Sequence, residues 1–168
     1  IIFLKEDNPI IIAGRLIQED LLILHWDNNF QEHILEGGIL CFPALWTLNE
    51  KINKPLSRIH KPVEQYNEKI TKSVQRMFNN LKVDKPIWRA NWYLYKDPEL
   101  FSPLSEKFSH TTEKKYFEGD FWLRVERQTL KRLPETNAIV FGIHTYVVNK
   151  KQLTLKQITS LKNYSLNK

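Results

Sequence analysis

Two runs late in the chain, Phe121-Trp-Leu-Arg-Val-Glu-Arg-Gln-Thr-Leu-Lys131 and Ala138-Ile-Val-Phe-Gly-Ile-His-Thr-Tyr-Val-Val148, decide how the rest is read. The first alternates and the second is rich in β-branched and aromatic residues, which fit a pleated surface. Leu133-Pro-Glu-Thr-Asn137 between them supplies turn residues, so the pair reads as an antiparallel hairpin. Successive side chains of a strand point to opposite faces. One face of the first run therefore carries Phe121, Leu123, Val125, Arg127 and Thr129, and the other Trp122, Arg124, Glu126, Gln128 and Leu130.

Working outward, residues 87–95 follow Pro86 and form an aromatic strand. Arg89 and Asn91 share a face there with Tyr93 and Tyr95, opposite Trp88, Ala90 and Trp92. The connection 96–120 is long, with two prolines and many charges, and is expected outside the sheet core. Leu155, Ile158 and Leu161 start a closing helix. At the other end, residues 10–20 read as a helix and 21–26 as a strand. Asp27-Asn-Asn29 forms a turn, and 30–42 a return strand ended by Pro43. Gly37-Gly38 inside that strand marks a bulge or a close backbone approach. Residues 44–81 are helical in character. Trp46, Leu48, Ile52, Leu56 and Ile59 are loosely spaced around Pro55. Pro62 then opens an amphipathic helix whose core stripe is Val63, Tyr66, Ile70, Val74, Met77, Phe78 and Leu81. The order is strand, strand, helices, three strands. This is an α+β arrangement, an antiparallel sheet with helices on one face, in the element order of PAS-like domains.

Composition sets the outer bounds. The chain has 168 residues, 42% hydrophobic and 26% charged, with 5 Trp, 6 Tyr and 9 Phe. That is a globular composition, which excludes disorder, collagen and a coiled coil. No apolar run approaches the ~20 residues of a membrane-spanning helix. Cys41 is the single cysteine, which excludes a disulfide framework and a cysteine-based zinc site, and suits the reducing cytoplasm. The chain opens at Ile1 and stops within a helical pattern, so we read it as one domain, 1–168, cut from a longer protein at both ends. The net charge of +6 is spread among interleaved acids, with Asn149-Lys-Lys151 as its densest point. Diffuse charge is the mark of a solvated surface, so neither nucleic acid nor membrane is an expected partner. A nucleic-acid domain would instead rest on this charge and on the aromatic strand 87–95.

Familiar catalytic spacings are missing. There is no His-x-x-x-His, no His-Glu-x-x-His, no Gly-x-Gly-x-x-Gly and no Gly-x-Ser-x-Gly among only 5 glycines. The informative residues are charges on strand faces. Arg127 among apolar neighbours needs a partner, because a buried unpaired guanidinium is costly. An anionic ligand would serve, and so would a structural pair such as Arg127 with Glu126 or Arg124 with Glu118. His25 and His33 fall on the first hairpin, His110 in the long connection, His144 on the last strand, and His60 at the end of a helical segment. Cys41 reads as a small buried hydrophobe or, in an electropositive pocket, as a thiolate ligand.

One resemblance adds to this. Leu123-Arg-Val-Glu-Arg-Gln-Thr-Leu-Lys-Arg-Leu-Pro134, Ala138-Ile-Val-Phe141 and Ile143-His-Thr-Tyr146 resemble the signature of the heme-dependent oxidative N-demethylase family. Gly14-Arg-Leu-Ile-Gln-Glu-Asp-Leu21, Cys41-Phe-Pro43 with Trp46, Ile59-His60 with Pro62-Val63, and Trp88-Arg-Ala-Asn-Trp92 agree with it in order. The resemblance implies a PAS-like fold holding heme b, and O2-dependent oxidation of a small secondary amine, such as dimethylamine, to a primary amine and formaldehyde. It implies electrons from NADPH through partner subunits carrying FMN and an iron–sulfur cluster. It makes Arg89, Arg124, Arg127 and Asn91 the cofactor-binding candidates, since Arg meets carboxylates bidentately. It makes His60 the iron ligand, with His144 and then Cys41 as rivals, and Glu126, Gln128 and Thr129 the groups that orient O2 or the amine. A heme-binding PAS-like sensor or carrier without catalysis is the alternative. Arg127 is expected to face inward onto a heme propionate.

Overall fold

A computed structural model describes residues 8–62, 66–105 and 119–166. Its centre is a five-stranded antiparallel sheet in the order β2-β1-β5-β4-β3. The strands are β1 Asp20–Asp27, β2 Glu32–Ile39, β3 Ile87–Tyr95, β4 Trp122–Arg132 and β5 Ile139–Asn149. The helices are α1 Pro9–Leu16, α2 Leu48–Lys51, α3 Leu56–Ile59, α4 Glu68–Asn80 and α5 Leu155–Leu166. Among the described residues no helix is long and apolar enough to cross a membrane.

Apart from the end of β2, the strands fall within two residues of expectation, and the hairpin β4–β5 pairs from Trp122↔Asn149 to Arg132↔Ile139. The first helix is shorter than its pattern. Asn8 caps it by accepting from Ile10 N (3.1 Å), and it ends at Leu16. Asp20 instead joins the sheet, its buried carboxylate accepting from Cys41 N (2.6 Å) and Phe42 N (2.8 Å). That same clamp ends β2 at Ile39 rather than at Phe42. The β1–β2 turn is larger than three residues. Asp27 accepts from Asn29 N (2.7 Å) and Phe30 N (3.0 Å), and Gln31 takes φ 53° before β2 starts. Both readings of Gly37-Gly38 apply, one to each neighbourhood. The register passes from Ile23↔Gly37 to Leu24↔Leu35, so Glu36 is the bulged residue. At Gly38 an added Cβ would lie 2.9 Å from the Leu21 carbonyl oxygen.

The amphipathic helix starts at Glu68, not at Pro62. Asn67 caps it, accepting from Ile70 N at 3.1 Å, and a side-chain cap stops the helix extending backward. Of the expected stripe, Val74, Phe78 and Leu81 reach the core, whereas Ile70 and Met77 are exposed. Val63 lies outside the described residues. Pro55 interrupts the segment as its spacing implies, leaving two short helices with Pro55 at the N-cap of the second. Leu24, Leu56, Phe78, Leu81 and Ile139 form one core cluster, and Leu22, Leu35 and Ile143 a second, with Ile59 and Phe141 packed against both. Helices α2, α3 and α4 therefore cover one face of the sheet. The other face is not bare as expected: α5 meets it through Tyr164 against Trp92, and Gly14 of α1 sits on Ile39. In the long connection, Ser102 bridges to Ala44 outside the sheet, with Leu45 N donating to Ser102 O (2.8 Å) and Ser102 N to Pro43 O (3.0 Å). Residues 106–118 of that connection, His110 included, lie outside the described residues.

Candidate functional site

The face of β3–β4–β5 turned toward α3 is polar. Cross-strand registry places Arg89 beside Gln128, Asn91 beside Glu126 and Tyr93 beside Arg124, with Thr145 next to Glu126 on β5. Arg124 is the buried charge here, at 1% exposure. Its Nε donates to Glu126 Oε1 (3.3 Å), Nη1 to the Leu100 carbonyl (3.1 Å), and Nη2 to the Phe42 carbonyl (2.5 Å) and Thr145 Oγ1 (3.4 Å). The guanidinium thus ties β4 to two loops. Gln128 donates to Glu126 Oε2 (3.4 Å) and accepts from Arg89 Nε (2.9 Å). Asn91 donates to Tyr93 Oη (3.3 Å), while its buried Oδ1 has no partner among the described residues. Burial pushes the Tyr95 phenol up to about 12, so it stays protonated beside Arg124.

His60 caps the end of α3, which packs on this side of the sheet through Leu56 and Ile59. Its Nδ1 lies 2.9 Å from the Leu56 carbonyl, and its ring stacks on Tyr66 at 4.4 Å. A carbonyl only accepts, so Nδ1 carries the proton and Nε2 keeps a lone pair. Burial lowers the His60 pKa; the bond to Leu56 opposes this, and the charges of Lys51 and Arg89 add to the lowering. The ring is therefore neutral at pH 7, in the tautomer a metal ligand needs.

The other expected site residues lie elsewhere. Arg127 does not face inward: its side chain is 47% exposed and pairs with Glu19 (3.3 Å) on the opposite face of the sheet. Thr129 shares that face and lines, with Trp88 and Arg127, a cavity of about 520 Å³. His144 is there too, its Nδ1 3.7 Å from Glu19 and its ring against Tyr146. A groove of about 430 Å³ between α5 and the sheet is lined mainly by apolar groups such as Trp92, Leu123 and Leu161, which suit packing more than chemistry. Cys41 lies by Asp20; burial first, then the Asp20 charge, pushes its thiol up, away from a thiolate. Of the structural pairs weighed from the sequence, Arg127 takes Glu19 rather than Glu126, while Arg124 pairs with Glu126 and its own candidate, Glu118, lies outside the described residues.

Sequence reasoning missed Asp20 and Thr145, both buried. Asp20 carried a signal, since Asp20, Leu22 and Leu24 recur at the strand period and must share a face. Among the described residues no three His, Cys, Asp or Glu side chains group as a metal site. A porphyrin iron needs less from the protein, because its equatorial ligands come with the cofactor.

These features define an α+β domain built on one antiparallel sheet, with buried charges gathered on the face that carries the connecting helices. Its polar face and its sheet both lie within the stretch that a family model recognises. The chain belongs to the haem-dependent oxidative N-demethylase, alpha subunit-like family, whose model matches residues 3–162. The family's description names heme dependence and an alpha subunit, hence an enzyme of several subunits.

Proposed function

We propose that this chain is the heme-holding part of an oxidative N-demethylase, with His60 Nε2 as the ligand to a heme b iron. The observation that carries the reading is the His60 tautomer, fixed by the Leu56 carbonyl and kept neutral by burial. The sheet order β2-β1-β5-β4-β3, with connecting helices over one face, supports a PAS-like frame. Arg89 is the cation assigned to a propionate. Its charge is felt at His60, and among the described residues it commits only Nε, to Gln128. Arg124 is engaged on all sides as a brace, and Arg127 lies across the sheet, so neither is assigned that role. Glu126 and Gln128 lie on the His60 side and are assigned to the substrate side of the pocket, whereas Thr129 lies on the far side.

Heme, when bound, supplies the oxidative chemistry, with O2 as oxidant and electrons from NADPH delivered by partner subunits carrying FMN and an iron–sulfur cluster. The net change is a secondary amine, O2, two electrons and two protons giving a primary amine, formaldehyde and water. The chain's own part is to hold the cofactor, keep His60 neutral and position the amine.

The test is the absorption spectrum and heme content of the full-length protein. His60→Ala should abolish or shift the Soret band, and His144→Ala should leave it unchanged. An unaltered Soret maximum and heme content in His60→Ala would end the assignment. Formaldehyde release from a secondary amine with a reductase separates an enzyme from a sensor or carrier.

A further inference from the structure

We propose that Asn91 Oδ1 and the Glu126 carboxylate together recognise the substrate as an ammonium cation, through its two N–H groups. The inference rests on the amine-oxidising reading above and deepens it. Three observations converge on this pair.

Asn91 and Glu126 are direct cross-strand partners on one face, so their side chains stand within reach of a single small ligand. Asn91 Oδ1 is buried and accepts no hydrogen bond among the described residues, which is costly unless a donor arrives. The third observation is charge. Asp20 and Glu126 bring two buried carboxyl groups to this face, and Arg124 brings one buried guanidinium. Burial pushes the Asp20 carboxyl up against the bonds from Phe42 and Cys41, and the Glu126 charge adds a smaller push, so a cation on this face meets more buried negative charge than Arg124 alone answers. Among the described residues Glu126 itself is held by long bonds, 3.3 Å from Arg124 and 3.4 Å from Gln128, leaving its lone pairs underused.

An alkylamine resembles the lysine side chain in basicity and enters as a cation at pH 7. A dialkylammonium offers two donors and no acceptor. One N–H fits the amide oxygen, the other the carboxylate, and its charge meets the local deficit. A trialkylammonium has one N–H and a tetraalkylammonium none, so the same pair grades amines by their N–H count. The Tyr93 and Tyr95 rings lie on the same face and suit the methyl groups.

The test is calorimetric binding to the full-length protein, with heme content recorded for every sample. The probes are dimethylammonium, trimethylammonium and tetramethylammonium chlorides. Affinity should fall in that order, by about tenfold or more across the series, as expected for charge-assisted hydrogen bonds. Asn91→Leu, which leaves the Arg124–Glu126 pair intact, should bring the dimethyl and trimethyl affinities together. Glu126→Gln should weaken all three cations. Equal binding of dimethylammonium and tetramethylammonium by the parent, or an unchanged series in Asn91→Leu, would overturn the proposal. A normal Soret band with no N–H discrimination sinks this inference alone, whereas a protein without a Soret band sinks the reading beneath it.

Discussion

Replacing Arg124 by Met should be far more damaging than the same change at Arg127, although both belong to one strand and one sequence motif. Arg124 is 1% exposed and holds four acceptors, the Glu126 carboxylate, the Leu100 and Phe42 carbonyls, and Thr145 Oγ1. Met fills much of the space and supplies no donor. Glu126 then stays buried with Gln128 at 3.4 Å as its donor in the network. Breaking a buried pair costs about 3–5 kcal/mol. Each carbonyl left unsatisfied adds about 1–3 kcal/mol. A total of at least about 5 kcal/mol is a large share of the ~5–15 kcal/mol that holds a domain together. For a chain of this size it corresponds to a fall in Tm of about 10–20 °C. The Arg127–Glu19 pair is 47% exposed on the Arg side, where such pairs contribute about 0–1 kcal/mol. Thermal and urea unfolding followed by circular dichroism would measure both variants without cofactor. In Arg124→Met with Glu126→Gln, part of the loss should return, because no unpaired charge is left inside. The reasoning fails if Arg127→Met costs as much as Arg124→Met, or if the double variant is the worst of the set.

Gly38→Ala should lose about 1–3 kcal/mol in urea unfolding, since its Cβ would press on the Leu21 carbonyl and Leu22. Gly37→Ala meets nothing within 4 Å and should match or exceed the parent; a reversed order would refute the close approach. Stability should also fall with acid. His33 and His60 both have pKa values lowered from 6.5, mainly by burial, so below pH 6.5 the unfolded chain takes protons that the folded one refuses. The unfolding free energy should therefore decline as pH drops from 6.5 toward the folded values, and His33→Leu should flatten part of that slope. A pH-independent stability between 7 and 5 in the parent would count against both buried, neutral rings.

The sheet was legible because a pleat imposes a period of two that no packing can erase. The runs around Arg124 and His144 therefore show both their strands and their two sides. Which side is buried was not legible. The alternation put Leu123 and Val125 beside Arg127, and that suggested an inward Arg127. Yet Arg124 is buried by carbonyls 82 and 24 residues away in sequence, Phe42 and Leu100, and no local pattern encodes such closure. The helix start was missed for a different reason. Pro62 and Asn67 are both good first-turn signals, and the choice falls to whichever residue tertiary packing lets cap. The position of His60 at the end of a helix could be read from the sequence, while its tautomer depends on one bond to Leu56.

The sheet order also bears on how the chain is made. Strand β5, synthesised after the other four, lies in the middle, with Asp20 opposite Ile143 on one side and Arg127 opposite His144 on the other. The β1–β2 hairpin forms from local sequence, then waits with one edge of β1 unpaired. At ~5–20 residues per second, that wait lasts on the order of ten seconds before β5 emerges from the ribosome. An open edge is a template for any strand of matching register. When many chains refold together, the first β5 to reach a given β1 can belong to a neighbour, and the product is a strand-exchanged dimer with every native pairing intact. Low chain concentration and fast translation should favour closure within one chain, and high concentration the exchanged form.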